Sequence, residues 1–168
     1  MQTASGDTLV QGWFQWLENT GLAATVRESV WAYPIVETVH ILGFVILVGS
    51  AAMFDLRLLG ASRRLPVSAT ARHLLTSSRA SLLVVVPSGL LLFMSNATAL
   101  SINPAFRLKL VLLAAAGLNA YIFHRWPFKT VKVWNRKVRA PAAAKISAVI
   151  SLLLWAGVIT CGRFIAYF

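Results

Sequence analysis

The chain alternates long apolar runs with short polar or basic segments. Four of the runs approach the roughly 20 apolar residues that an α-helix needs to cross the hydrocarbon core of a bilayer. They lie at about 30–54, 80–97, 106–124 and 146–164. The pattern predicts an all-α fold, an integral membrane four-helix bundle that forms a single domain over residues 1–168. An even number of spans places both termini on the same side of the membrane.

Residues 1–29 precede the first span and are amphipathic rather than uniformly apolar. Their apolar side chains recur at helical spacing: Leu9, Trp13, Phe14, Trp16 and Leu17. Because tryptophan favours the headgroup layer, the segment is predicted to be an interfacial amphipathic helix. A helix that packs on the end of the bundle is the alternative. No signal-peptide pattern is evident here, so we expect this segment to be retained.

Proline and polar residues punctuate the first two spans. Asp55 and Arg57 are expected to mark the inner boundary of the first span. Pro66 with Ser68 offers a start for the second helix well before its apolar part. Pro87 lies in the middle of the second span, where a neighbouring helix or hydroxyl must satisfy the carbonyl group that a proline frees.

Composition excludes a soluble domain, since 58% of the residues are hydrophobic, only 12% are charged and the mean hydropathy is +0.71. The single cysteine, Cys161, excludes an internal disulfide and a cysteine-clustered zinc or iron–sulfur site. The net charge is +11, and 12 of the 16 Lys and Arg residues fall in alternate connections between spans. Those residues are Arg57, Arg63, Arg64, Arg72, Arg79, Arg125, Lys129, Lys132, Arg136, Lys137, Arg139 and Lys145.

This charge pattern is the positive-inside pattern of membrane proteins. It predicts a multi-pass protein of the bacterial inner membrane with both termini on the periplasmic side. Topology and anionic lipid explain the basic residues, so we expect the bilayer and no nucleic acid as a partner. Other membrane subunits or a second copy of the chain are possible further partners.

His40 and Glu37 are the ionisable residues within the apolar part of the first span. They stand three positions apart, which puts both on one face of a helix. An ionisable residue at that depth is expensive and is by default a functional hypothesis. Imidazole is a common axial ligand of haem iron and also binds copper. Gly43, one turn further along the same face, would leave room for a flat ligand, although such small residues also serve plain helix packing.

Cationic residues near the outer ends of the third and fourth helices could complete a cofactor site. Arg107, Lys109 and Arg163 are candidates to neutralise haem propionates, and Lys109 is also the expected partner of a buried Glu37. Met94, His73 and His124 are weaker metal-ligand candidates, because they are scattered in depth or lie at the inner surface. Asn119 is expected to form a hydrogen bond between helices. One Glu-x-x-His motif is too few for a di-iron site.

Three segments resemble those of known families. The run ETVHILGFVILVGSAAMFDLRLLG resembles the first helix of small bacterial four-helix membrane proteins. NPAFRLKLVLLAAAGLNAYIFHR resembles the lysine-led third helix of copper-resistance D-type proteins and of the four-helix protoporphyrinogen oxidase of bacterial haem synthesis, and PSGLLLF is similar to their second helix. Over most of its length the chain resembles an uncharacterised bacterial four-helix family with WLYP, E-x-x-H and DLRLLG patterns, the first of which stands here as WAYP.

The resemblance to the oxidase implies a haem b bound by a first-helix histidine and an important third-helix lysine, which match His40 and Lys109 by position. The leading hypothesis is therefore a haem b-binding membrane protein with an electron-transfer or porphyrin-redox role. Whether it is an enzyme is left open. A copper-handling membrane protein and a structural subunit of a larger membrane complex are the alternatives.

Overall fold

The computed structural model describes residues 4–61, 66–135 and 139–168, without the side chains of residues 4–10, 132 and 133. This part of the chain is helical and contains no strand. The helices are α1 (Ala4–Glu18), α2 (Gly21–Glu28), α3 (Ala32–Leu59), α4 (Val67–Met94), α5 (Ala97–Ile102), α6 (Pro104–Arg125), α7 (Val131–Trp134) and α8 (Ala142–Phe164). Single 3₁₀ turns follow α6 and α8, at Pro127–Thr130 and Ile165–Tyr167.

Local sequence signals set the ends of the long helices. Gly60, with φ of 118°, ends α3, and its N–H group donates to the carbonyl oxygens of Leu56 and Arg57. Pro66 immediately precedes α4, so the early start that the sequence predicts for this helix is confirmed. Asn103 caps α6 by accepting a hydrogen bond from the Phe106 N–H group at 3.0 Å.

The four long helices form two antiparallel pairs, α3 with α4 and α6 with α8, and α3 also packs against α8. We call the end of the bundle where α3 ends and α4 begins the basic end. We call the opposite end, where α3 begins and α8 finishes, the terminal end. Gly60 lies beside Arg139 and Lys145 at the basic end. At the terminal end the Asn103 amide donates to the carbonyl oxygen of Ile165 at 3.0 Å.

The hydrophobic core is concentrated at the basic end. It comprises Phe54, Leu58, Val67, Ala71, Phe123, Trp134, Ala144 and Ala148. These residues come from all four long helices and from α7, which covers the end of the bundle. Trp134 is held there by a hydrogen bond of 3.0 Å from its indole N–H group to the Thr130 hydroxyl. The core residues therefore close the bundle at the basic end.

Large apolar side chains cover the outside of the bundle. Leu83 on α4, Val111 on α6 and Leu153 on α8 are 78%, 64% and 68% exposed, respectively. All four long helices are long and apolar enough to cross a membrane. An apolar exterior of this extent is stable in lipid and not in water. The predicted all-α membrane bundle is confirmed, and the chain has the character of a multi-pass membrane protein.

Two separate helices, rather than one, occupy the N-terminal segment. They pack on the terminal end: the rings of Phe14 and Phe93 meet edge to face with centroids 6.1 Å apart. The Glu18 carboxylate accepts a hydrogen bond of 2.8 Å from the Thr98 N–H group in the first turn of α5. The N-terminal helices are thus packed on the bundle, and Trp13 and Trp16 stay exposed, as an interfacial helix requires. Their depth relative to the headgroups stays a prediction.

Candidate functional site

A cavity of about 1030 Å³ lies between the α3–α4 pair and the α6–α8 pair. Its walls are mainly apolar, and α4 and α6 face each other across it without packing closely along their length. Phe93 and Phe106 bridge these two helices near the terminal end, with parallel rings 5.4 Å apart. Sites for small molecules typically measure about 300–1,000 Å³. The cavity is therefore large enough for a sizeable lipophilic ligand.

His40 lines this cavity from α3 and is half-buried. Its Nδ1 lies 3.0 Å from the Ser88 hydroxyl on α4. Its ring stacks on Phe44 at 6.5 Å between centroids and 19° between planes, and Phe44 in turn meets Trp155 of α8 edge-on. Three helices thus hold the imidazole at the wall of the cavity.

The Ser88 contact bears on which ring nitrogen of His40 carries the proton. The Ser88 hydroxyl has a single hydrogen, and the Val84 carbonyl oxygen, 2.6 Å away, is an acceptor for it. When that bond is made, the hydroxyl accepts from His40, and Nδ1 is the nitrogen that donates. In the neutral imidazole this leaves the lone pair on Nε2 free for a ligand. Histidine ligands of metal ions are commonly oriented in this way by a hydrogen bond from the second nitrogen.

Glycines shape the site in different ways. A Cβ atom at Gly89 would lie 2.9 Å from Cε1 of His40, so Gly89 provides the space that the imidazole occupies. Gly117 lines the cavity and has no neighbouring atom within 4 Å of the position of a Cβ. Gly43 was a candidate to leave room for a flat ligand. It is instead buried against α4, where a Cβ would lie 2.9 Å from Val85 Cγ2, so it permits close helix packing.

The expected ion pair between Glu37 and Lys109 is wrong. Both residues line the cavity, but their charged groups do not come within 4.0 Å of each other. The Lys109 ammonium group instead points towards α8, where it would lie 3.8 Å from a Cβ atom at position 162. Glu37 does not receive the Nδ1 hydrogen bond of His40 either, because Ser88 does. Helical spacing puts Glu37 and His40 on one face of α3, but it cannot show that Ser88 of α4 contacts the imidazole instead.

Arg107 and Arg163 are predicted to serve the same site, but neither lines the cavity. The Arg107 guanidinium donates to the Ser101 carbonyl oxygen at 2.7 Å on the exposed surface. Arg163 lies over the ring of Tyr167, 5.4 Å from its centroid, and donates to its hydroxyl at 3.2 Å. Of the three candidate cations, Lys109 alone lines the cavity.

The weaker metal-ligand candidates are dispersed. His73 is exposed near the start of α4, and neither it nor Met94, at the end of the same helix, lines the cavity. His124 does line the cavity but shows no contact with His73. Within the described ranges, no three His, Cys, Asp or Glu side chains are grouped so that they could hold a metal ion.

Asp55 and Asn119 form a polar group at the basic end of the cavity, and the sequence predicts only the role of Asn119. Asp55 is only 6% exposed and lines the cavity rather than marking a boundary in contact with headgroups. Asn119 forms the predicted bond between helices: its amide donates to the Ser147 carbonyl oxygen and accepts from the Ser147 hydroxyl, each at 3.0 Å. The sequence signal for a buried Asp55 is an acidic residue within an otherwise apolar run.

These features define a helical membrane protein with an apolar cavity that contains one oriented histidine near its terminal end. Residues 13–168 match the model described as "Family of unknown function (DUF6644)", and the chain belongs to that family. This fits the resemblance to an uncharacterised family; similarity to copper-resistance D-type proteins or to protoporphyrinogen oxidase does not emerge. Comparison with curated proteins and with solved structures gives no match.

Proposed function

We propose that this protein binds haem b in the cavity, with His40 as the axial ligand, and that its role is electron transfer or porphyrin redox chemistry. The observation that carries the proposal is the state of His40. It lines a cavity of about 1030 Å³, and when its Nδ1 donates to Ser88 the lone pair of Nε2 is available to a metal centre. A bound haem would supply one-electron chemistry.

The remaining residues fit such a ligand in two respects. The apolar side chains from all four long helices suit the body of a porphyrin, which is insoluble in water. Lys109 would lie near the terminal end to neutralise a propionate, and a charge-assisted hydrogen bond of this kind is stronger than a neutral one.

The absorption spectrum of the purified protein tests this proposal. Protein from haem-replete cells is expected to show a Soret band that shifts on reduction with dithionite. His40→Ala should lose the band, whereas His73→Ala, which removes an exposed histidine outside the cavity, should keep it. A colourless wild-type protein, or a band that His40→Ala leaves unchanged, would contradict the proposal. Stoichiometric copper in a colourless preparation would favour the copper alternative.

The Ser88 hydrogen bond gives a second test. Removing a partner that orients a ligating histidine typically costs about 10–100-fold in metal affinity. Ser88→Ala is therefore expected to weaken haem binding by that order, as measured by haem titration of the haem-free protein. Ser81→Ala is the matched control, because Ser81 is equally buried on the same helix but bonds only to the Ser78 carbonyl oxygen. Equal effects of the two variants would exclude an orienting role for Ser88.

A further inference from the structure

The basic end of the cavity contains two buried polar atoms that lack hydrogen-bond partners. Within the described part of the chain, Oδ2 of Asp55 and Nε2 of His124 are buried and unpartnered. Both residues line the cavity. A buried polar group without a partner costs about 1–3 kcal/mol, and two at one end of a cavity call for an explanation.

The two residues lie at the same level of the bundle. Asp55 follows Phe54 on α3, and His124 follows Phe123 on α6; the rings of Phe54 and Phe123 meet edge to face with centroids 5.7 Å apart. The Ser151 hydroxyl on α8 lies within hydrogen-bonding reach of the Asp55 carboxyl. Asp55 and His124 therefore line the cavity next to the contact between Phe54 and Phe123.

The chemistry of these atoms determines what a ligand must offer. Nδ1 of His124 lies 2.8 Å from the Ala120 carbonyl oxygen, which can only accept, so Nδ1 carries the proton. Nε2 of the neutral ring is then an acceptor, and a carboxylate oxygen is an acceptor as well. A carboxyl group rotates easily about its last torsion, so Asp55 could turn towards a ligand at low cost. The ligand should present hydrogen-bond donors.

The surroundings favour a neutral donor over a cation. Arg57, two residues after Asp55, lies with Arg139 and Lys145 around a small pocket at this end of the bundle. Further basic residues lie in the same connections, and like charges repel a cationic group. Phe54 and Phe123 line the cavity next to the polar atoms and would pack against an aromatic ring.

We infer that the basic end of the cavity is a binding site for a lipophilic hydroquinone, whose phenolic hydroxyls donate to Asp55 and His124 and whose ring packs on Phe54 and Phe123. The apolar tail would occupy the middle of the cavity. This site is separate from His40, and it does not depend on the haem proposal.

Calorimetric titration of the full chain in detergent tests the inference, with three probes that share a decyl tail. These are decyl-substituted benzene-1,4-diol, its dimethyl ether, which has no donors, and decylammonium, which is cationic. The diol is expected to bind at least about tenfold more tightly than the ether, because it alone among the neutral probes can donate. Equal binding of diol and ether, or tighter binding of decylammonium, would overturn the inference.

Two substitutions test whether the diol binds at Asp55. Asp55→Asn keeps the shape of the side chain but replaces one acceptor oxygen with an amide group that only donates, so the affinity for the diol should fall at least about tenfold, towards that of the ether. Glu37→Gln makes the same change at the other end of the same cavity and should leave the affinity unchanged. The inference is contradicted if the two variants behave alike. If Asp55→Asn fails to fold, the comparison of diol and ether on the unaltered protein still decides.

Discussion

At the scale of single residues, neighbours on other helices decide what each candidate does. The apolar run identifies His40 as a residue to examine, and the structure places it in a cavity. The sequence could not show that Ser88, rather than Glu37, holds its imidazole, because that choice depends on how α3 and α4 pack. Asp55 was misassigned for a similar reason, since a charge near the end of a span is buried only if other helices cover it.

Gly89 and Gly49 provide a matched test of the space around His40. Gly89→Ala places a methyl group 2.9 Å from Cε1 of the imidazole, which must move away from its bonded position. Overpacking of this kind typically costs about 1–3 kcal/mol, so haem affinity is expected to fall about tenfold or more.

Gly49→Ala should leave haem affinity close to that of the wild type, because nothing lies within 4 Å of the added methyl group and Gly49 does not line the cavity. Haem titration of the two haem-free variants provides the comparison. A larger loss for Gly49→Ala than for Gly89→Ala would show that the imidazole is not confined by α4.

At the scale of helices, the glycines of α3 differ sharply although they look equivalent in the sequence. Gly43 is in close contact with α4, whereas no atom lies near a Cβ at Gly49. Gly43→Ala should therefore destabilise the protein by about 1–3 kcal/mol through strain between α3 and α4. Gly49→Ala should change stability by less than about 1 kcal/mol, in the stabilising direction. Unfolding in mixed micelles measures both, and a Gly43→Ala protein as stable as the wild type would contradict the packing.

The sequence predicts a hydrogen bond between helices from Asn119 of α6, and the structure shows that its partner is Ser147 of α8. Asn119→Ala removes both hydrogen bonds to Ser147, whereas Ser147→Ala removes only the one that the hydroxyl donates. Bonds of this kind in membranes contribute about 0.6 kcal/mol on average and at most about 1.7 kcal/mol. The free energy of unfolding should thus fall more for Asn119→Ala than for Ser147→Ala. The reverse order would mean that the bond to the Ser147 carbonyl oxygen contributes little.

At the scale of the whole molecule, hydrophobic patterning was sufficient for the architecture. Each predicted span overlaps one long helix, and the chain crosses the bundle four times. The short α5 helix lies in a connection between two spans, where the Glu18 carboxylate of α1 accepts a hydrogen bond from the Thr98 N–H group in its first turn. The cavity could not be predicted from the sequence, because it arises from the separation of α4 and α6.

Orientation in the membrane remains a prediction from the basic residues. A topology reporter fused after Phe168 is expected to be active on the periplasmic side, because the Lys and Arg residues concentrate at the opposite end of the bundle. A fusion after Arg139 should report the cytoplasm. If both fusions report the same side, α8 does not cross the membrane.

The central claim is that His40 holds a haem in the cavity, and imidazole rescue tests it most directly. In His40→Gly the side chain is missing but the cavity remains, so free imidazole can occupy the vacated position. The account predicts that haem binding, followed by the Soret absorbance, is lost in His40→Gly and restored when imidazole is added. A His40→Gly protein that retains the wild-type spectrum without imidazole, or a wild-type protein that binds no haem, would contradict the account.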